Sequence, residues 1–387
     1  MFNTLRNNSK IIIYIVVLAF VITGAFMGFG AYFNNSPSSA TVSANNVARV
    51  NDTDITQEEY LSELQNMAPQ TDSLSRSQIL PFKLNVLNSI IERNLILQKA
   101  DEQGIKADVT DKDIDDTINQ ILENNNMTEE ELKEHFTEQN YSYNDFKKNL
   151  RNNLEQNSII QQTVENTYNN VVVSEEEIKT EYEKKYSDSE EKPEFSEAKD
   201  DIKNALLQSK QSKTFNNWLE NTLAESDIEI YIPALNALNK FKKEDYEGAI
   251  ESFNKAMENS ESPAYYIYLA ESYQGLENND KSSEVYKNGI ESFPEDWELR
   301  YNYGVLLQKL EEKEEAISQL NEASSLANEN IMAHYQIYVA YKGLKAEEKA
   351  EEELKKINNI QEKMSQKMQQ IEEEEMAESK EEKQVKE

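Results

Sequence analysis

Apolar residues fall along this 387-residue chain in three regimes. From Ile11 to Phe33 they run together without a charge. From 47 to 232 they recur three and four residues apart, and this stretch opens and closes on short strand-like runs, Val47-Ala48-Arg49-Val50 and Ile228-Glu229-Ile230-Tyr231-Ile232. From 233 onward they belong to a longer repeating unit.

As a helix, the first run would be about 34 Å long, enough for a hydrocarbon core of about 30 Å. Arg6 and Lys10 precede it, and the next basic residue is Arg49. That bias predicts a cytoplasmic segment 1–10, a transmembrane anchor 11–33 and an extracytoplasmic remainder. The alternative is a cleaved signal peptide ending near Val42-Ser43-Ala44, but the apolar run is long for one. Residues 34–46, rich in Asn, Ser, Ala and Thr, read as a tether.

Between 47 and 232 the spacing predicts a mainly helical domain whose two end strands pair. Capping boxes mark helix starts at Thr56–Glu59, Thr128–Glu131 and Ser174–Glu177, with looser versions at Thr110–Asp113 and Ser142–Asp145. No glycine lies between Gly104 and Gly248, and no proline between Pro81 and Pro193. The longest helix is predicted from near Ile79 to a C-cap at Gly104, with Leu80, Leu84, Leu87, Ile91 and Leu95 on one face. Most of these apolar faces are expected to form core. A subset, Leu84, Leu87, Ile91, Leu95, Phe136, Phe146 and Leu150, is the candidate exposed face for unfolded or exported polypeptides.

Ala249-Ile250-x-x-Phe253-x-x-Ala256 returns as Ser282/Tyr286/Gly289, Ala316-Ile317/Leu320/Ala323 and Ala350/Leu354/Ile357, at offsets of 33, 34 and 34. Small residues are needed where two helices cross, because large side chains would hold them apart. The period is similar to that of tetratricopeptide repeats, an α-solenoid of helix pairs, and predicts about four repeats over 233–358 with a charged helix or tail over 359–387. The first helices of such repeats line a groove. In this register it receives Ile267 and Glu271, then Glu298, Tyr301, Val305 and Gln308, then Met332, Tyr335, Val339 and Lys342. A peptide or protein ligand is the expected occupant.

The first of these two regions also resembles a known family. Val50-Asn51 with Ile55-Thr56 and Glu59-Tyr60 looks like the entry strand and first helix of the SurA, PrsA and PpiD group of extracytoplasmic isomerase chaperones. Leu87, Ile91-Glu92, Ala100, Gly104-Ile105 and Val109-Thr110-Asp111 resemble the group's long helix and following turn. Val173 to Ile178 with Tyr182 looks like the segment entering the isomerase domain, and Phe195, Ile202, Leu206, Lys210, Phe215 and Trp218 like the helix leaving it. In that family a parvulin domain lies between those segments. Here only Tyr186 to Phe195 separates them, without glycine or room for a parvulin sheet. The resemblance therefore implies the chaperone half of the family without its isomerase.

Composition narrows the function further. A net charge of −33 argues against nucleic acid as a partner. Cysteine is absent, which removes disulfides and thiolate chemistry. His135 and His334 stand far apart, and no phosphate loop or nucleophile elbow occurs. Asp111-x-Asp113-x-Asp115 has a calcium-loop spacing, but Asp116 and Leu122 stand where that loop needs glycine and glutamate. No enzyme, cofactor or metal is expected. The expectation is a membrane-anchored periplasmic or exterior chaperone or assembly factor whose repeats recruit a partner. The rival is a repeat adaptor of a cell-envelope complex, favoured if the core over 80–168 is closed. A non-catalytic subunit that delivers substrate to a separate isomerase is a third reading.

Overall fold

The computed structural model describes residues 46–67, 74–138, 141–187 and 192–385, with side chains to 371. The expected cytoplasmic segment, the anchor 11–33 and nearly all of the tether lie outside them. Among the described residues no helix is long and apolar enough to cross a membrane. The described residues divide into two compact units, the first up to 67 and from 85 to 231, the second 74–84 and from 232 on.

Unit 1 is built on a small antiparallel sheet. Strand β1 (Asn46–Val50) lies centrally, between β2 (Thr53–Thr56) and β3 (Ile228–Ile230). β1 thus pairs with the far strand that the sequence predicts, Val50 opposite Ile228 and Ala48 opposite Ile230. The expected two-stranded pairing is corrected to three strands, because a hairpin at Asn51-Asp52 brings Thr53 opposite Val50. Asn51 takes the left-handed conformation, φ 53°, that asparagine tolerates in such turns. Its side chain accepts the Asp227 N–H at 3.0 Å and donates to Gln98 at 2.7 Å, tying hairpin, last strand and long helix together. Strand alternation sends Ala48 and Val50 inward and leaves Arg49 outside, paired to Asp54 at 2.9 Å.

Helices α1 (Gln57–Asn66), α2 (Arg76–Glu102), α3 (Asp111–Asn124), α4 (Glu129–Glu138), α5 (Tyr143–Tyr168), α6 (Glu175–Tyr186) and α7 (Phe195–Glu225) follow. Their starts obey the predicted caps. Thr56 accepts from Glu59 N–H at 3.1 Å, and Thr110/Asp113 and Ser174/Glu177 are full reciprocal boxes. α2 begins three residues before the predicted Ile79, because Ser75 C=O already accepts the Ile79 N–H. It stops at Gly104, whose φ of +69° a side chain would strain. The three carboxylates with calcium-like spacing go to separate partners: Asp111 to Arg151, Asp113 to Thr110 and Asp115 to Lys147. α6 and α7 close on each other through Ile178, Tyr182, Ala198 and Ile202, and the Tyr182 hydroxyl donates to Pro193 C=O.

Unit 2 stacks four helix pairs: α8 (Pro233–Lys242) with α9 (Tyr246–Met257), α10 (Pro263–Gly275) with α11 (Asn279–Ser292), α12 (Trp297–Lys309) with α13 (Lys313–Leu326), and α14 (Ile331–Gly343) with α15 (Glu347–Val385). Each first helix ends alike. Glu244, Glu277, Glu311 and Lys345 are all left-handed, with φ of 54° to 65°. The next N–H returns to the carbonyl five residues back, as in Asn278 to Tyr273 at 2.9 Å. Of the predicted small residues, Ala249, Ser282, Ala316 and Ala323 are fully buried. At Gly304 a methyl group would stand 3.0 Å from Leu320 and 3.3 Å from the Ala316 carbonyl, so close helix approach explains that glycine.

Candidate functional site

All seven positions of the expected client-binding face are core. Leu84, Leu87, Ile91, Leu95, Phe136, Phe146 and Leu150 are each 3 % exposed or less. In the middle of unit 1, Phe136, Phe146 and Leu150 join Ile114, Ile118, Ile121, Leu132 and Tyr141 in one cluster. Helical spacing identified the apolar faces correctly but not that other helices cover them. These side chains are committed to packing.

The repeat face is different. Residues 34 apart occupy equivalent places on α10, α12 and α14, and their burial changes along the array. Ile267 is buried, Tyr301 half-buried, and Tyr335 is 54 % exposed. Glu298 is buried, whereas its equivalent Met332 is 65 % exposed. Glu271 is half-buried, and Val305 and Val339 are exposed. Gln308 is half-buried, and Lys342 is exposed and paired with Glu347. The last repeat therefore presents a bare strip, Met332, Tyr335 and Val339, on the side of α14 opposite its buried Ala333, Ile337 and Tyr341.

The covered end has an occupant from the chain itself. Residues 74–84, the start of α2, belong to unit 2. Glu298 Oε2 accepts the Ser77 N–H at 3.0 Å, the Tyr268 hydroxyl donates to Ser77 C=O at 3.4 Å, and Arg76 lies 3.5 Å from Asp296. Asp296 also caps α12 by accepting the Leu299 N–H at 3.0 Å. Sequence reasoning missed this occupant. Pro81 inside a helical pattern was its one visible sign.

Burial sets the electrostatics of this end. It pushes the Glu271 carboxyl up to about 7 and the Tyr268 hydroxyl up to about 12. It also raises Asp296, against the Leu299 N–H that favours its charged form. A carboxyl raised in the folded state binds more protons there than in the unfolded chain between its ordinary 4.5 and about 7. Stability contributed by Glu271 is therefore lost as pH climbs through that window. Glu271→Gln is expected to stabilise the chain at pH 8 by about 1–3 kcal/mol and to leave it unchanged at pH 4, read by thermal unfolding across that range.

His334 does not stand alone after all. Its Nδ1 lies 2.6 Å from Glu353 Oε2 and its Nε2 2.8 Å from the Asn328 carbonyl, and both side chains are buried. Ser324 donates to the other Glu353 oxygen at 2.6 Å, and Lys356 reaches it at 2.9 Å. This network joins α13, α14 and α15 and lies within their packing.

Residues 1–164 match the family model of the SurA-like N-terminal domain. Over that stretch the chain is similar to the SurA-like domain, and the stacked helix pairs of unit 2 follow it. The SurA-like match covers the sheet hairpin, α1 to α4 and most of α5, and the repeats begin after β3. No curated protein sequence matches the chain. Among solved structures, a crystal structure of MamA is 23 % identical with a TM-score of 0.28, covering 32 % of this chain and 73 % of that one. YrrB, described as a TPR protein with an unusual peptide-binding site, is 20 % identical with a TM-score of 0.27, covering 46 % of this chain and 92 % of that one.

Proposed function

We propose that the chain is a polypeptide-binding adaptor whose ligand docks on the repeat face, with the SurA-like domain as its structured base. The carrying observation is the bare strip of Met332, Tyr335 and Val339, continued by Val305 at the equivalent place one repeat earlier. Exposed apolar side chains aligned on one side of a stacked array are the usual means of gripping an extended or helical segment. The burial of the residues from Leu84 to Leu150 supports the adaptor over the holdase, because these side chains supply no exposed apolar surface. No chemical step is part of the reading. The segment 11–33 would hold the adaptor at a membrane, with the repeats on the extracytoplasmic side.

The test combines two measurements on the full chain. A photocrosslinking residue at Tyr335 is expected to give a discrete adduct in the native cell, lost when Val339→Asp is added. The same chain is expected to leave aggregation of a denatured protein unchanged. Suppressed aggregation without a discrete adduct would favour the chaperone instead. Absence of both would remove polypeptide binding altogether.

A further inference from the structure

Three contacts hold the start of α2 on the repeats, and each answers a need set by the sequence. The first N–H groups of a helix have no acceptor within it, and the buried Glu298 carboxylate takes that of Ser77. Pro81 has no N–H, so the Ser77 carbonyl, four residues earlier, loses its ladder partner. The Tyr268 hydroxyl supplies the missing donor. The positive end of the helix dipole and Arg76 then face Asp296 and Glu298, two acidic groups that are each 4 % exposed. Such carboxylates are costly to bury without a counter-charge, and the helix start supplies one.

Pro81 also weakens the joint between this end and the rest of α2. One ladder bond is missing, and the first turn has few others to lose: the N–H groups of Gln78 and Ile79 both return to Ser75. Unwinding residues 75–80 would therefore break few ladder bonds of α2. Further along the array, the equivalent positions are bare.

We propose that residues 75–84 are a resident, exchangeable ligand of the repeat face, and that its foreign ligand is another polypeptide segment that begins a helix. That segment would offer free N–H groups and a basic residue in its first turn, as Arg76 does, and apolar residues four and eight positions later, as Leu80 and Leu84 do. It would engage Met332, Tyr335 and Val339 first and displace the resident turn from Glu298 and Asp296. This rests on the polypeptide-binding reading above. It adds that the site is held partly closed by the chain itself.

The test uses a fluorescent, N-acetylated peptide of residues 74–88 titrated into the full chain. Weak binding to the wild type is expected. Ser77→Pro should bind it about tenfold more tightly or better, because proline fits the first turn of a helix yet cannot donate to Glu298. Adding Glu298→Gln to that variant should reverse the gain. As a second readout, hydrogen exchange of the 76–80 amides in the wild type should speed up when the peptide is present in excess. Equal affinity for wild type and Ser77→Pro, with exchange unchanged, would overturn the resident ligand while leaving a polypeptide-binding face. Binding to neither, with exchange unchanged, would also overturn it; the Tyr335 crosslink then decides the broader reading separately. If Ser77→Pro does not fold, the exchange measurement alone decides.

Discussion

Phe136→Ala is expected to cost about 3–5 kcal/mol, because it removes a large ring from a closed cluster that cannot collapse around the gap. Phe136 meets Tyr141 edge-on at 5.5 Å between centroids and Phe146 at 4.9 Å, and it is 2 % exposed. It also anchors α4, which has ten residues and little stability of its own. The loss should be local first, with the amides of α3 and α4 losing exchange protection before those of the repeats. Chemical unfolding with hydrogen-exchange readout measures both. A variant of unchanged stability that had lost polypeptide binding would show that Phe136 faces clients, contrary to its packing.

Glu353→Ala should cost a similar amount, about 3–5 kcal/mol, because it leaves the other members of a buried network without their acceptor. The Asn328 carbonyl can only accept, so Nε2 of His334 carries a proton, and the opposite nitrogen faces the Glu353 carboxyl. A proton shared across that 2.6 Å contact satisfies both groups at once. Replacing the pair together, His334→Phe with Glu353→Leu, should recover most of the loss, and the non-additivity of this cycle is the decisive number. pH gives a second check. Burial pushes the Glu353 carboxyl up, but Ser324, Lys356 and His334 together outweigh it and hold the group below its ordinary 4.5. Its contribution is complete above that value and fades as pH falls through the lowered one. The gap between wild type and Glu353→Ala should accordingly narrow below about pH 4.

Much of the architecture was legible because it is local. Caps such as Thr110–Asp113 and Ser174–Glu177 are written within four residues, and the repeat period within 34. Strands β1 and β3 were visible as short β-branched runs, whereas β2 hid behind Asn51-Asp52 because Thr53 to Thr56 has a single strong apolar residue, Ile55. What stayed hidden depends on partners distant in sequence. Periodicity placed Leu87 and Phe146 on apolar faces but said nothing of what lies over them. His334 looked isolated because its partner, Glu353, sits nineteen residues on in a helix crowded with other glutamates. The acidic end of the repeat face is filled by Ser77, 221 positions upstream of Glu298, a contact no local pattern announces.

The central position of β1 also dictates an order of events. Its second neighbour, β3, lies about 180 residues downstream, whereas every helix pair of the repeats joins residues close in sequence. At a synthesis rate of about 5–20 residues per second, β1 waits roughly 10–40 s with one edge unpaired before Ile228 emerges. Over that interval the nascent SurA-like domain carries an open strand edge, the kind of surface onto which other chains add. The repeats, by contrast, can close pair by pair as they appear. The domain that resembles a chaperone is thus the part of this chain with the longest need of one.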